Sequence, residues 1–433
     1  MTTLTPEDPK HSAAPPKPAA VPHIPVASRS PARSLRVLMI SHTCQSPVEG
    51  QPKVRELLKY DDLDLRVIVP HRWKHYGAWR EPKIDADLEE NVRAERVRFP
   101  WVGPAQCYLH RYPDLPAILA AFRPHVIDLW EEPWGAVSAH AIRVNQLMSS
   151  PAKVISETEQ NIEKKLPWPF EGWRAFTLKH ADHLVGRSSE AVEVAHLKGY
   201  SGLSTVVPNG VDVETFTPLP DREALRAERS LSGFVVGYVG RFVEEKGVLD
   251  FVDALASCDT SVNAVFIGSG PLAEAIASRA SEKGVAGRVR LVPQLGDPAE
   301  LAKWMNAIDV LALPSRTTAR WKEQFGRVLA EAGACGRPVI GTNSGAIPDV
   351  IGDAGIVVPE REPAALATAI ESLRVSPARV ELLGQLGRRR AVDRYSWAAV
   401  ARAMHGIYAS LAPDAANARG QARDVRRGEA ARA

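Results

Sequence analysis

What the chain lacks narrows its reading first. Its four cysteines (Cys44, Cys107, Cys258, Cys335) are scattered over 433 residues with no C-x-x-C or other metal-type spacing. That excludes a disulfide framework and a zinc module, and fits buried thiols in a reducing cytoplasm. No run of eighteen apolar residues occurs, so no transmembrane helix is expected. Prolines interrupt the N-terminal stretch, which therefore has no continuous apolar segment of the signal-peptide kind. An excess of one charge is missing too, because 54 Lys and Arg stand against 51 Asp and Glu. A net charge of +3 is too small to argue for a nucleic-acid partner and allows only weak attraction to an anionic membrane surface. No His/Cys/Asp cluster has metal-ligand spacing, so no obligatory metal or other cofactor is expected.

What is present is a soluble globular composition, 45% hydrophobic and 24% charged, in a chain too long for one ordinary core. Residues 1–34, rich in Pro, Ala and Ser, read as a disordered tail, and so do residues 413–433. Between them, short apolar runs alternate with helical patterns. Expected strands are Leu35–Ile40, Leu65–Val69, Val126–Leu129, Val154–Ile155 and His183–Val185, then Phe234–Val239, Asn263–Ile267, Val289–Val292, Val310–Leu313 and Pro338–Gly341. Unbroken apolar strands spaced by helices indicate parallel sheets covered on both faces. The fold class is α/β, with two Rossmann-like domains facing across a cleft, 35–212 and 213–395. The turn Pro208-Asn209-Gly210-Val211-Asp212 lies at their boundary. Ligands in such folds sit outside the carboxyl ends of the strands.

The most informative stretch is Trp321-Lys322-Glu323-Gln324-Phe325-Gly326-Arg327-Val328-Leu329-Ala330-Glu331. It reads as a helix start, and a Gly336-Arg337-Pro338 stop and an apolar strand follow. With a helix from near Phe325, the eight-residue offset puts Glu323 and Glu331 about 12 Å apart along the axis. The amides of Phe325, Gly326, Arg327 and Val328 between them, with the helix dipole, attract phosphate oxygens. Glu331 then accepts from ribose hydroxyls and Glu323 from sugar hydroxyls. The plainer alternative is an acidic helix start on a solvated face.

At this point the chain resembles glycosyltransferase family 4, the retaining, GT-B-type, nucleotide-sugar-dependent transferases. The matching pieces are Pro208 through Asp212, Gly240-Arg241 with Lys246-Gly247, Gly268-Ser269-Gly270-Pro271, the stretch above, and Gly345 through Asp349. They occur in the family's order over about residues 205–360. The resemblance implies a nucleoside-diphosphate sugar donor and a hydroxyl acceptor, a glycan or lipid-linked glycan. It also implies a helix, within 396–412, that returns to the first domain. Arg241 and Lys246 would stabilise the leaving diphosphate, a fork and a point charge respectively. Gly240 forms the turn that carries them. Glycine-rich Gly268–Pro271 also matches a dinucleotide-binding string, but the next strand ends in Pro293-Gln294 where an acidic residue would hold a ribose. Gln294 is a place for nucleobase contacts or an ordinary loop residue. Gly345 either offers further amides or is turn punctuation. The strings Asp62-Leu63-Asp64 and Asp85-Ala86-Asp87 match a metal-holding D-x-D pattern of another transferase class and read here as surface acids. Two other readings stay open, a sugar-nucleotide epimerase on a similar fold and a non-catalytic nucleotide-sugar-binding protein.

In the first domain, polar and aromatic residues gather at strand carboxyl ends. They are His42-Thr43, His71-Arg72-Trp73, Glu131-Glu132-Pro133-Trp134 and Glu157-Thr158-Glu159-Gln160-Asn161. Indole faces beside carboxylates suit a carbohydrate acceptor. Any one of them taken alone is more readily a solvated loop group or a packing residue, and their recurrence at one end of several strands is the argument. The chain departs from the family here. The loop after Val154–Ile155 has no histidine where many members carry one, and a lone Gly50 replaces the Gly-Gly after the first strand.

Overall fold

The computed structural model describes residues 35–75, 78–98 and 106–415. The expected tails lie outside the described residues, apart from 413–415. In chain order the strands are β1 Leu35–Ile40, β2 Leu63–Pro70, the short hairpin β3 Trp73–His75 and β4 Ala78–Arg80, β5 Val92–Glu95, β6 Val126–Leu129, β7 Lys153–Thr158, β8 His183–Gly186 and β9 Leu203–Val206. The second domain adds β10 Phe234–Val239, β11 Val262–Ile267, β12 Val289–Val292, β13 Val310–Leu313, β14 Val339–Thr342 and β15 Gly355–Val358.

Two parallel sheets result, ordered β5-β2-β1-β6-β7-β8-β9 and β12-β11-β10-β13-β14-β15. Apolar runs such as VLAL at β13 are buried throughout, because helices cover both faces of the sheet. In each sheet one central pair marks where the strand order reverses, β1 with β6 and β10 with β13. Loops leaving the carboxyl ends of such a pair diverge and open a crevice, where α/β sheets bind ligands. The chain puts its chemistry at both crevices.

The helix Trp397–Leu411 crosses back from the second domain. Val400, Ala401, Met404, Ile407 and Tyr408 bury themselves in the first domain's core with β1, β2 and the helix Gln51–Leu57. The crossing is tied at its base, where Val211 N donates to Tyr395 O at 2.7 Å and the Trp397 ring packs on Gly210. Strand edges moved where local pattern was weak. β7 runs to Thr158, beyond the apolar Val154-Ile155 pair, because Ser156, Glu157 and Thr158 pair with β8 as polar strand residues.

Candidate active site

At the crevice of the second sheet, β10 leads through Gly240 and Arg241 to a single 3-10 turn, Glu244–Lys246. Gly247 follows with φ 65°, and a Cβ there would stand 1.8 Å from Pro314 O. Only glycine lets this turn press against the loop that leaves β13. That contact brings Lys246 to Glu323, with Nζ 2.6 Å from Oε2. Ser315 Oγ donates to the same oxygen at 3.0 Å, and the Trp321 ring lies 4.6 Å from the ammonium. Both charges are mostly buried, at 15% and 9% side-chain exposure. Both of these bonds go to Oε2 of Glu323, which leaves Oε1 without a hydrogen bond among the described residues. Arg241 is different, since its side chain is 58% exposed and pairs loosely with Glu245, at 3.5 Å. Gly240 N donates to Ile267 O at 3.0 Å, and Gln294 Oε1 accepts from Ser269 Oγ at 3.2 Å, so these turns brace one another.

The helix after Glu323 starts at Arg327, not Phe325, and ends at Ala334 with Gly326 as its N-cap. Phe325 is a core residue, its ring edge-on to Tyr395 at 5.5 Å. Glu323 therefore lies in the loop, and a helical rise does not measure its separation from Glu331. Arg327 and Val328 supply first-turn amides, which have no partner within a helix. Glu331 is buried with no side-chain hydrogen bond among the described residues. Burial pushes its carboxyl up to about 7, partly opposed by the nearby Arg327 charge. Gly345 has a packing part. Its φ is 55°, and a Cβ would stand 2.0 Å from Glu323 O, so glycine lets the two loops touch.

The crevice of the first sheet holds a pair that sequence reasoning noted only in pieces. His42 follows β1 and Glu131 follows β6. Nδ1 of His42 lies 2.8 Å from Glu131 Oε2, and His42 N donates to Oε1 at 2.6 Å. The imidazole stacks on Trp73 at 4.6 Å. Burial opposes charge on His42, but Glu131 outweighs it and raises the imidazole above its ordinary value. Burial likewise raises Glu131, and His42 reverses this to a net lowering. The signal in the sequence was two residues, each the second beyond a strand end, at the point where strand order turns.

Other acceptor-side expectations change. Glu157 is not a cleft residue. It is buried in β7 between Lys53 and Arg187, with Lys53 Nζ at 2.8 Å and Arg187 bonded to its other oxygen. Lys53 also lies 3.8 Å from Asp128, which accepts from Tyr408 on the returning helix at 2.6 Å. A polar strand end looked like a ligand site because its partners come from remote segments. Glu132 is also committed, accepting from Thr158 Oγ1 at 2.8 Å and Glu159 N at 2.7 Å, while burial lifts it to about 7. Gln160 turns back to Ile162 O at 2.8 Å. Trp134 packs beside Tyr108, 4.4 Å between centroids. Glu159 keeps 40% of its side chain open. Desolvation raises its carboxyl, and Arg327 from the opposite domain and Asn209 hold it down.

The D-x-D strings are engaged elsewhere. Asp62 meets His405 at 3.0 Å, and Asp85 and Asp87 both bind Arg55. Among the described residues no group of three His, Cys, Asp or Glu is placed to hold a metal.

The family model for group 1 glycosyl transferases matches residues 233–374, which carry this second crevice. The D-inositol 3-phosphate glycosyltransferase of Corynebacterium jeikeium is 30% identical over 313 residues, 66% of this chain and 68% of that one. The chain belongs to the group 1 glycosyl transferases. The GDP-mannose-dependent alpha-(1-6)-phosphatidylinositol monomannoside mannosyltransferase of Mycolicibacterium smegmatis is 36% identical over 203 residues, 44% of this chain and 52% of that relative. Among solved structures, Anabaena HepE in complex with UDP superposes with TM-score 0.67 at 18% identity, covering 87% of this chain and all of the other. Sucrose-phosphate synthase from Thermosynechococcus elongatus superposes with TM-score 0.65 at 23% identity, covering 87% and 98%. These structures establish the GT-B fold. This group 1 glycosyl transferase is accordingly an enzyme, and neither the epimerase nor the non-catalytic reading finds comparable support.

Proposed function

We propose that the enzyme moves a sugar from a nucleoside-diphosphate sugar to a hydroxyl acceptor, a glycan or lipid-linked glycan, with retention and without an obligatory metal. The observation that carries this is the crevice between β10 and β13. The helix that follows β13, Arg327–Ala334, carries a buried carboxyl, Glu331, with no side-chain hydrogen bond among the described residues, and the mostly buried Lys246–Glu323 pair lies just before that helix. Glu331 takes the ribose hydroxyls. Lys246, with the exposed Arg241, neutralises charge growing on the departing diphosphate. Glu323 orients the sugar through Oε1. The bond from anomeric carbon to phosphate oxygen breaks as the acceptor oxygen bonds on the same face, and the acceptor proton passes to the leaving phosphate. UDP in the Anabaena structure and GDP-mannose in the mycobacterial name support a diphosphate-sugar donor.

The first domain presents the acceptor, against the His42–Glu131 pair and the Trp73 face. The enzyme works in the cytoplasm with peripheral contact at the inner membrane face, and the mycobacterial relative's name, which includes phosphatidylinositol monomannoside, supports the membrane contact. Among the described residues no helix is long and apolar enough to cross a membrane. Thermal shift with UDP, GDP and ADP and their sugars tests the donor, since native-state binding raises apparent stability. A flat response to every diphosphate refutes the donor assignment. An inverted anomeric centre in the product, read by proton NMR, refutes retention.

A further inference from the structure

Asn161 belongs to the first domain, yet its side chain reaches the second. It is 2% exposed. Nδ2 donates to the main-chain oxygen of Glu323 at 2.8 Å and to Glu190 Oε2 at 3.2 Å. The same Glu323 oxygen accepts Ala346 N at 3.0 Å from the other side. Gly345 leaves no space there, because a Cβ on it would lie 2.0 Å from that oxygen and 3.1 Å from Asn161 Nδ2. The carbonyl of Glu323 is thus gripped by both domains, while its carboxylate holds Lys246.

An amide suits this place. Its two hydrogens serve two acceptors, whereas an aspartate of the same shape is acceptor-only once ionised. A chain of contacts runs from Asn161 through Glu323 to the ammonium. Gln324 Nε2 also donates to Glu159 O at 2.9 Å and Lys322 meets Glu190 at 2.7 Å, but Asn161 is the tie that reaches Glu323 itself. Another interdomain bond, Ser189 Oγ to Asp349, joins the domains at the helix Ile347–Ile351 and makes no bond to Glu323.

We propose that Asn161 is a positioning residue that sets Glu323, and through it Lys246, in working geometry only while the two domains are closed on each other. This makes donor activation conditional on the domain that carries the acceptor. The inference rests on the assignment of Glu323 and Lys246 to the donor.

The test compares Asn161→Asp with Ser189→Ala in the full chain, each lacking one interdomain hydrogen bond. Hydrogen–deuterium exchange without ligand should rise about tenfold over residues 318–328 in Asn161→Asp, the scale of one lost hydrogen bond, and stay within about twofold in Ser189→Ala. Diphosphate release from UDP-glucose or GDP-mannose, whichever the wild type turns over, should fall about tenfold in kcat for Asn161→Asp alone. Dissociation constants for UDP or GDP should stay within about twofold of wild type, since Glu331 and Arg241 are untouched. Equal effects in both variants, or none in either, overturn the proposal in favour of a plain interdomain strut. If Asn161→Asp fails to fold, Asn161→Ala carries the same comparison without adding a charge. A wild type that binds neither diphosphate sinks the donor assignment instead, and the exchange arm still decides whether Asn161 positions the loop.

Discussion

The Lys246–Glu323 pair can be broken from either side, and the two breaks should not cost the same. At 2.6 Å and an effective dielectric near 20, Coulomb attraction is about 6 kcal/mol before desolvation is counted. Measured losses on removing one partner of a buried pair run about 3–5 kcal/mol, because the other charge stays behind unpaired. Lys246→Met leaves the Glu323 carboxylate with only Ser315 as a partner and should cost about 3 kcal/mol. Glu323→Gln leaves Lys246 over the Trp321 ring with an amide oxygen still in reach, and should cost about 1–2 kcal/mol. The double variant should lose less than the sum, with a coupling of about 2 kcal/mol. Urea unfolding of the two single variants and the double, without ligand, gives the cycle directly. If the second domain melts as a unit, Lys246→Met should also lower its Tm by about 6–12 °C. Turnover of Lys246→Met should fall about a hundredfold or more, as on losing a preorganised donor to a developing anion. Additive losses, with coupling within about 0.5 kcal/mol, would mean that the pair does not form in solution. The account of how Glu323 is held would then be wrong, whatever the turnover.

Three more outcomes are expected. Glu331→Gln should bind nucleoside diphosphate about tenfold more weakly by calorimetry. It should also remove a pH effect. The folded-state carboxyl titrates at about 7, above its ordinary 4.5, so wild type holds this stability below pH 4.5 and loses it as pH rises through 7. That loss is about 3 kcal/mol, which the glutamine variant should not show in unfolding curves between pH 4.5 and 8. Gly345→Ala should cost about 1–3 kcal/mol for its left-handed backbone, and should move the Glu323 loop so that kcat falls with diphosphate affinity intact. Normal affinity and normal kcat together would contradict the contact with Glu323. Activity should survive EDTA, and complete loss restored by magnesium or manganese would show that a metal carries the charge assigned to Lys246 and Arg241.

How much of this was legible in the chain depends on how local each cause is. β10 and β13 stand where unbroken apolar runs put them, because a strand buried on both faces needs only its own residues to declare itself. The helix Trp397–Leu411 and its return to the first domain were expected from the family resemblance. Lys246 and Glu323 were each nominated from turn chemistry and order along the chain, and the pieces of the first crevice were visible as single polar residues after strands. Tertiary structure decided the pairings. Lys246 meets Glu323 across 77 residues only because Gly247 lets one turn press on the next loop. His42 meets Glu131 only because β1 and β6 are neighbours. Glu157 looked like an acceptor group and is a buried counter-ion, because Lys53 and Arg187 arrive from 104 residues before it and 30 after it. A side chain's periodicity reports which face it occupies. Whether a carboxylate there meets water, a ligand or a distant cation depends on long-range packing, which no local pattern encodes.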